Sequence, residues 1–156
     1  MIKKNLFLNI CIISLTFVIS IIVIYLLSMS LFIMKHRESD YYLMGKDNIP
    51  SIYKVNGKRN LYYYKSSNKN NNDIKVFKYR NIEDVKSDLT NYIDELKGNY
   101  NYAYTSDIDL SDNNGSIELS SNSVDIDKII IINITYDKSS YVIKITKGKG
   151  NINFYK

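Results

Sequence analysis

The pattern of apolar and polar positions changes character twice, near residue 37 and near residue 50. From Asn5 to Met34 no residue is charged, and Leu, Ile, Phe and Val dominate, with scattered Asn, Ser and Thr that a helix backbone can satisfy. At ~1.5 Å rise per residue the apolar part, Leu6 to Met34, reaches roughly 43 Å, more than a hydrocarbon core of about 30 Å requires. The pattern predicts one transmembrane helix that tilts or extends into the headgroups. Residues 38 to 50 lose all periodicity and end in the only proline, Pro50, which disfavours helix at Ile49. They read as a linker.

From Ser51 the period shortens to that of strands. Ile52 to Val55 and Lys58 to Lys65 flank Asn56-Gly57, the pair best suited to a type I′ hairpin turn. Ser66 to Asn72 is nearly all Ser, Asn and Lys and reads as a mobile loop, and Asp73 to Arg80 as a third strand. Between Asn81 and Lys97, Ile82, Val85, Leu89, Tyr92, Ile93 and Leu96 recur at steps of three and four, one apolar stripe of a helix. Asn81 serves as its N-cap and Gly98 closes it. Its polar face carries Glu83, Asp84, Asp88, Asp94 and Glu95, so the stripe is expected to cover a sheet and not a lipid surface. Tyr100, Tyr102 and Tyr104 then alternate, Asp107 to Gly115 makes an acidic loop, and Ser116 to Ser120, Lys128 to Tyr136 and Tyr141 to Lys147 read as strands. Ile129 to Ile132 is apolar on both faces, as an inner strand requires.

The class predicted is α+β: an N-terminal transmembrane helix followed by a small antiparallel sheet of about six to seven strands, three before the soluble helix and about four after it, with that one amphipathic helix covering the sheet. The boundaries are 1–37 for the anchor with basic flanks, 38–50 for the linker and 51–156 for the domain. A chain of 156 residues has no room for a second domain.

Charge adds a second layer. The formal net charge is +5, but Lys3, Lys4, Lys35 and Arg37 flank the apolar helix, so the domain itself is nearly neutral. It is also segregated: 39–80 is basic, 81–127 acidic and 128–156 basic. Such blocks either solvate one another within one fold or present a surface to an anionic partner. The basic run with Lys54, Lys58, Arg59 and Lys65 beside Tyr62, Tyr63 and Tyr64 is the candidate polyanion or glycan surface, set against a structural role for tyrosines that strands accept readily.

The inventory of reactive side chains is short. The single cysteine, Cys11, lies in the apolar helix, which leaves the domain without a disulfide, and the single histidine, His36, stands at the edge of that helix. No Ser-His-Asp, Cys-His or His-based metal constellation can be assembled in the domain, so a non-enzymatic protein without a cofactor is expected. Asp107, Asp109, Ser111 and Glu118 match several oxygen-ligand positions of a calcium loop, but Asp112 stands where the sharp-turn glycine is wanted and no helix pair flanks the loop. An ordinary hairpin loop is the competing reading.

A short basic tail leading into the first apolar segment favours a cytoplasmic N-terminus and a domain outside the cell membrane. A cleaved signal peptide, with Ser28 and Ser30 as small residues, is the alternative, though the apolar run is far longer than an ordinary signal core. Outward topology removes nucleic acid as a partner. Heavy use of Lys, Asn, Ile and Tyr resembles the coding bias of an AT-rich genome. The Ile-rich anchor, Ile49-Pro50, the run from Ser51 to Arg59 and Lys147-Gly148-Lys149-Gly150 together resemble uncharacterised small single-pass membrane-anchored proteins of low-GC Gram-positive bacteria. That resemblance implies no activity and no site residues. The expected partners are the lipid bilayer and another envelope protein or assembly, with a cell-wall polyanion as the alternative.

Overall fold

Residues 2–104, 110–150 and 152 are described by the computed structural model, which also leaves out the side chains of residues 2–11, 32 and 35. The chain divides into two compact units, residues 1–34 and 35–156. Helix α1, Ile2–Arg37, supplies the first unit and runs three residues into the second. Its stretch Ile12–Leu31 has a mean hydropathy of 2.6 and none of it is buried, so it is long and apolar enough to cross a membrane. Three polar side chains on it turn to the backbone: Thr16 donates to the Ile13 carbonyl at 2.8 Å, Ser20 to the Thr16 carbonyl at 2.8 Å and Ser28 to the Tyr25 carbonyl at 2.8 Å.

The second unit is α+β. Strands β1 (Tyr41–Met44) and β2 (Asp47–Pro50) form a separate hairpin around Gly45-Lys46, with Gly45 at φ +66°. A short helix α2 (Ile52–Asn56) follows, then β3 (Leu61–Lys69), β4 (Asn72–Arg80), α3 (Val85–Tyr100), β5 (Ala103–Tyr104), β6 (Gly115–Asn122), β7 (Lys128–Tyr136) and β8 (Ser140–Lys149). Among the described residues, β3 to β8 form one antiparallel sheet in the order β3-β4-β8-β7-β6-β5. Strand β7, the isoleucine run, lies between β8 and β6.

The inner face of the sheet is built from Leu61, Phe77, Tyr79, Ile117, Leu119, Ile132, Ile134, Tyr141, Ile143 and Ile145, all buried. The predicted stripe of α3 covers it, with Ile82, Val85, Leu89, Tyr92, Ile93 and Leu96 buried. The β1–β2 hairpin and α2 complete the cover through Tyr42, Met44, Ile49 and Ile52. Tyr42 stacks on Phe77 with ring centroids 4.1 Å apart, and its hydroxyl meets that of Tyr79 at 2.6 Å.

Four sequence expectations are corrected here. The linker expected over 38–50 is instead the hairpin just described, and burial of Tyr42, Met44, Asp47 and Ile49 explains why: its apolar residues fill the inner face that α3 leaves open. Asn56-Gly57 is not a hairpin turn but the end of α2. Ser51 caps that helix by accepting from the Lys54 N–H, and Gly57, at φ +73°, donates its N–H to the Tyr53 carbonyl at 2.9 Å. The loop expected over 66–72 is paired strand up to a two-residue turn at Asn70-Asn71, both at positive φ. Helix α3 is shifted by three to four residues, capped by Asp84, whose carboxylate accepts from the Ser87 N–H at 2.9 Å, and ended by Asn101 in the left-handed region.

The hairpin is held by lysines that point into the fold. On the inner-facing register of β8, Lys147 is buried and donates to the Met44 carbonyl at 2.9 Å, to Asp47 at 2.5 Å and to Asp125 at 2.7 Å. Asp47 in turn accepts from the Ser123 hydroxyl and the Val124 N–H, so one carboxylate ties hairpin, β8 and the β6–β7 loop together. Lys75 on β4 adds a bond to the Leu43 carbonyl. Burial pushes the Asp47 carboxyl up, but the Lys147 ammonium and the donors from Val124 and Ser123 outweigh it and hold the group below its ordinary value. Burial likewise works against charge on Lys147, and hydrogen bonds to Asp125 and Asp47 more than offset it, leaving its pKa raised.

Two outcomes follow for the full-length protein in detergent micelles. Lys147→Ala leaves Asp47 charged and buried, and lowers unfolding stability by about 3 to 5 kcal/mol in chemical denaturation. A carboxylate lowered by folding contributes stability that is complete above an unfolded pKa of about 4 and lost as pH falls through its folded value. Thermal midpoints are therefore flat from about pH 6 to pH 9 and fall below about pH 4, and Asp47→Asn removes part of that acid limb.

Candidate functional site

The four cations of the expected polyanion surface are not gathered by the fold. Lys54 donates to the hydroxyls of Tyr41 at 2.6 Å and Tyr100 at 2.7 Å, and those contacts raise its pKa. Lys58 pairs with Glu38 at 2.6 Å. Arg59 turns to the buried Asp88 and grips it with two bonds, Nε to Oδ2 at 2.6 Å and Nη2 to Oδ1 at 2.7 Å. Only Lys65, on β3, points away from the covered face.

The Arg59–Asp88 pair forms the floor of a polar cleft of about 390 Å³ that Asn81, Asp84 and Ser87 also line. The Tyr141 hydroxyl donates to Asp88 at 3.2 Å from the inner face of the sheet, and Asn56 caps the Asp88 carbonyl at 2.9 Å. Burial raises the Tyr141 phenol far above its ordinary value, with the Asp88 charge adding to it, so the phenol is a donor and not a base. Three donor bonds, two from Arg59 and one from Tyr141, hold the Asp88 carboxylate, which makes the cluster a brace between α3, β8 and the segment before β3.

The opposite face of the sheet is different. Register places Lys65, Lys69, Lys78, Arg80 and Lys144 on it, from β3, β4 and β8, interleaved with half-buried Ile74, Val76 and Val142. Lys65 and Lys144 both flank Val76, and Lys78 is diagonal to each. Two of the cations lie over phenol rings: Lys78 Nζ is 4.9 Å from the Tyr63 centroid and the Arg80 guanidinium 4.9 Å from that of Tyr62. Among the described residues none of the five takes part in an ion pair. The acid on this face, Glu118 on β6, accepts from Asn133 at 2.6 Å. Sequence reasoning missed Lys69, Lys78, Arg80 and Lys144 because block charge alone does not say which strands become neighbours.

The remaining candidates are separated. Ser111 is exposed and its carbonyl accepts from Lys86, while Glu118 lies on the outer sheet face; Asp107 and Asp109 lie outside the described residues. Among the described residues no three His, Cys, Asp or Glu side chains converge as a metal set. Of the anchor flanks, Arg37 is half-buried, and the side chains of Lys3, Lys4 and Lys35 lie outside the described set. His36 packs its ring 4.1 Å from Tyr64 and 6.2 Å from Phe77, so it belongs to the folded unit, and Tyr64 parts from Tyr62 and Tyr63 to face inward. The β6–β7 loop, fixed by the Asp47–Lys147 cluster, exposes Val124 and Ile126 at 73% and 89%. The chain matches no protein-family model, no curated protein and no solved structure, so geometry alone carries the functional reading.

If the Arg59–Asp88 pair is a brace, cutting one partner is worse than replacing both. Arg59→Ala strands a buried carboxylate and costs about 3 to 5 kcal/mol, whereas Arg59→Met combined with Asp88→Leu costs less than either single change, as read from denaturation midpoints.

Proposed function

We propose that the protein is a membrane-anchored, non-enzymatic module with a cytoplasmic N-terminus, whose domain lies outside the membrane and binds another envelope protein or assembly. The observation that carries this reading is the helix Ile12–Leu31, apolar along its length and unburied among the described residues. Exposed apolar surface of that length is satisfied by lipid and not by water. The short tail with Lys3 and Lys4 favours the cytoplasmic side for the N-terminus. Binding without chemistry is supported by the reactive inventory, since His36 is engaged in aromatic packing and Cys11 sits within the apolar helix.

The contact offered to a protein partner is the loop bearing Val124 and Ile126. Two large aliphatic side chains held in water on a loop whose backbone is anchored by Asp47 form a pre-organised knob, and order before binding lowers the entropic cost of docking. Protease shaving of intact cells combined with in-cell cross-linking tests the reading. The full-length chain is expected in the membrane fraction, extracted by detergent and not by high salt, with the domain digested from outside. A specific cross-linked band should weaken at least tenfold in Val124→Ser with Ile126→Ser. Recovery of the intact chain in the soluble fraction, or of a shortened chain in the medium, overturns the anchored reading.

A further inference from the structure

From the outer face of β3, β4 and β8 we infer a second binding surface, one for a linear polyanion with closely spaced phosphate groups. It goes beyond the protein-partner reading and uses different residues from the Val124–Ile126 loop.

Three observations carry it. The first is sign: Lys65, Lys69, Lys78, Arg80 and Lys144 share the face with no carboxylate on the same three strands' outward register. A face that serves only solubility carries both signs interspersed. The second is position. Lysines on an exposed edge strand discourage strand addition, which accounts for Lys65 and Lys69 on β3, but β4 and β8 are interior strands, so Lys78, Arg80 and Lys144 need another reason. The third is partnering. Several lysines elsewhere in the domain are spent within the fold, Lys147 on Asp47 and Asp125, Lys58 on Glu38, Lys75 on the Leu43 carbonyl. On the outer face Lys78 and Arg80 rest over Tyr63 and Tyr62, which orders the side chains without cancelling their charge.

The chemistry of the ligand follows from the cations. Four of the five are lysines, point charges that ask for negative charge and not for a planar, two-pronged acceptor. Lys78 stands on diagonals of about 7 to 8 Å from Lys65 and Lys144, which flank Val76 two strands apart, while Arg80 lies two residues beyond Lys78 on β4 and Lys69 four residues beyond Lys65 on β3. A flexible chain of phosphates laid along the strands meets Arg80, Lys78, the Lys65–Lys144 pair and Lys69 in succession, with the half-buried Val76 and Val142 between them. Binding is driven by release of counterions from the polymer, so it depends on salt more than on polymer sequence.

The test uses the full-length protein in uncharged detergent micelles and long-chain inorganic polyphosphate as probe, with affinity followed by calorimetry. Five contacts predict a loss of affinity on the order of a hundredfold between about 50 and 200 mM salt. Lys65→Gln, Lys78→Gln and Lys144→Gln together should weaken binding at low salt at least tenfold and cut the salt effect to less than about tenfold over the same range. Lys46→Gln, Lys97→Gln and Lys138→Gln remove the same charge elsewhere and should change affinity less than twofold. Circular dichroism checks the fold of each, and Lys69→Gln with Arg80→Gln provides a second, independent variant of the face with a loss in the same direction. Absence of binding at low salt, equal losses in the two triple variants, or tighter capture by anionic phospholipid vesicles than by polyphosphate overturns the inference. Any of these with membrane anchoring and the protein cross-link intact leaves the proposed function standing; a chain that binds polyphosphate yet stays in solution without detergent overturns the proposed function alone.

Discussion

The ammonium of Lys147 is the point at which the domain's parts are joined. It lies on the same inward register as Ile143 and Ile145, where a hydrocarbon side chain would be expected, and it is taken out of water by the hairpin that it holds. Charge there is tolerable only because two carboxylates and a carbonyl surround it. The arrangement is reciprocal. The hairpin is too short to persist alone, and the part of the inner face bearing Phe77 and Tyr79 depends on Tyr42 for cover. An apolar residue at 147 could fill the space, but it would not choose the hairpin's register, whereas the ammonium fixes Met44 and Asp47 together.

Sheet order decides what the rest of the surface becomes. Strands β3 and β4 come from the basic first third of the domain and β8 from the basic last third, and β8 inserts beside β4. Two blocks far apart in the chain therefore become adjacent, while the acidic middle third supplies α3 on the covered side. The acids solvate the fold only at selected points, Asp88 on Arg59 and Asp125 on Lys147. Segregation along the sequence thus survives as segregation in space.

How much of this was legible in the sequence varied by element. Strand β7 and its junction to β8 were readable because Ile129 to Ile132 is apolar on both faces, as an inner strand requires, and Asp137 to Ser140 breaks the pattern. The stripe of α3 was readable residue by residue, though its ends were not: Asn81 and Gly98 are good capping residues, yet Asp84 and Asn101 took those roles because packing on the sheet set where the helix could run. The hairpin at 41–50 escaped because its four-residue strands are too short to show a period, and Asn56-Gly57 misled because the same left-handed residue that turns a hairpin also ends a helix. The outer cationic face was half visible. Alternation marks which lysines share a strand face, but only the pairing of β4 with β8 shows that the faces adjoin.

The core is unusual in being built around phenols, with Tyr42, Tyr79, Tyr92 and Tyr141 all at 3% exposure or less in a chain that has no tryptophan. Burial raises each of these hydroxyls above its ordinary value, while solvent-facing tyrosines such as Tyr62 and Tyr104 remain in contact with water. In alkali the four inner rings ionise only when the sheet and its cover separate. The near-ultraviolet spectrum of phenolate is then an intrinsic clock for the opening of the domain, with no label attached and no indole signal to obscure it.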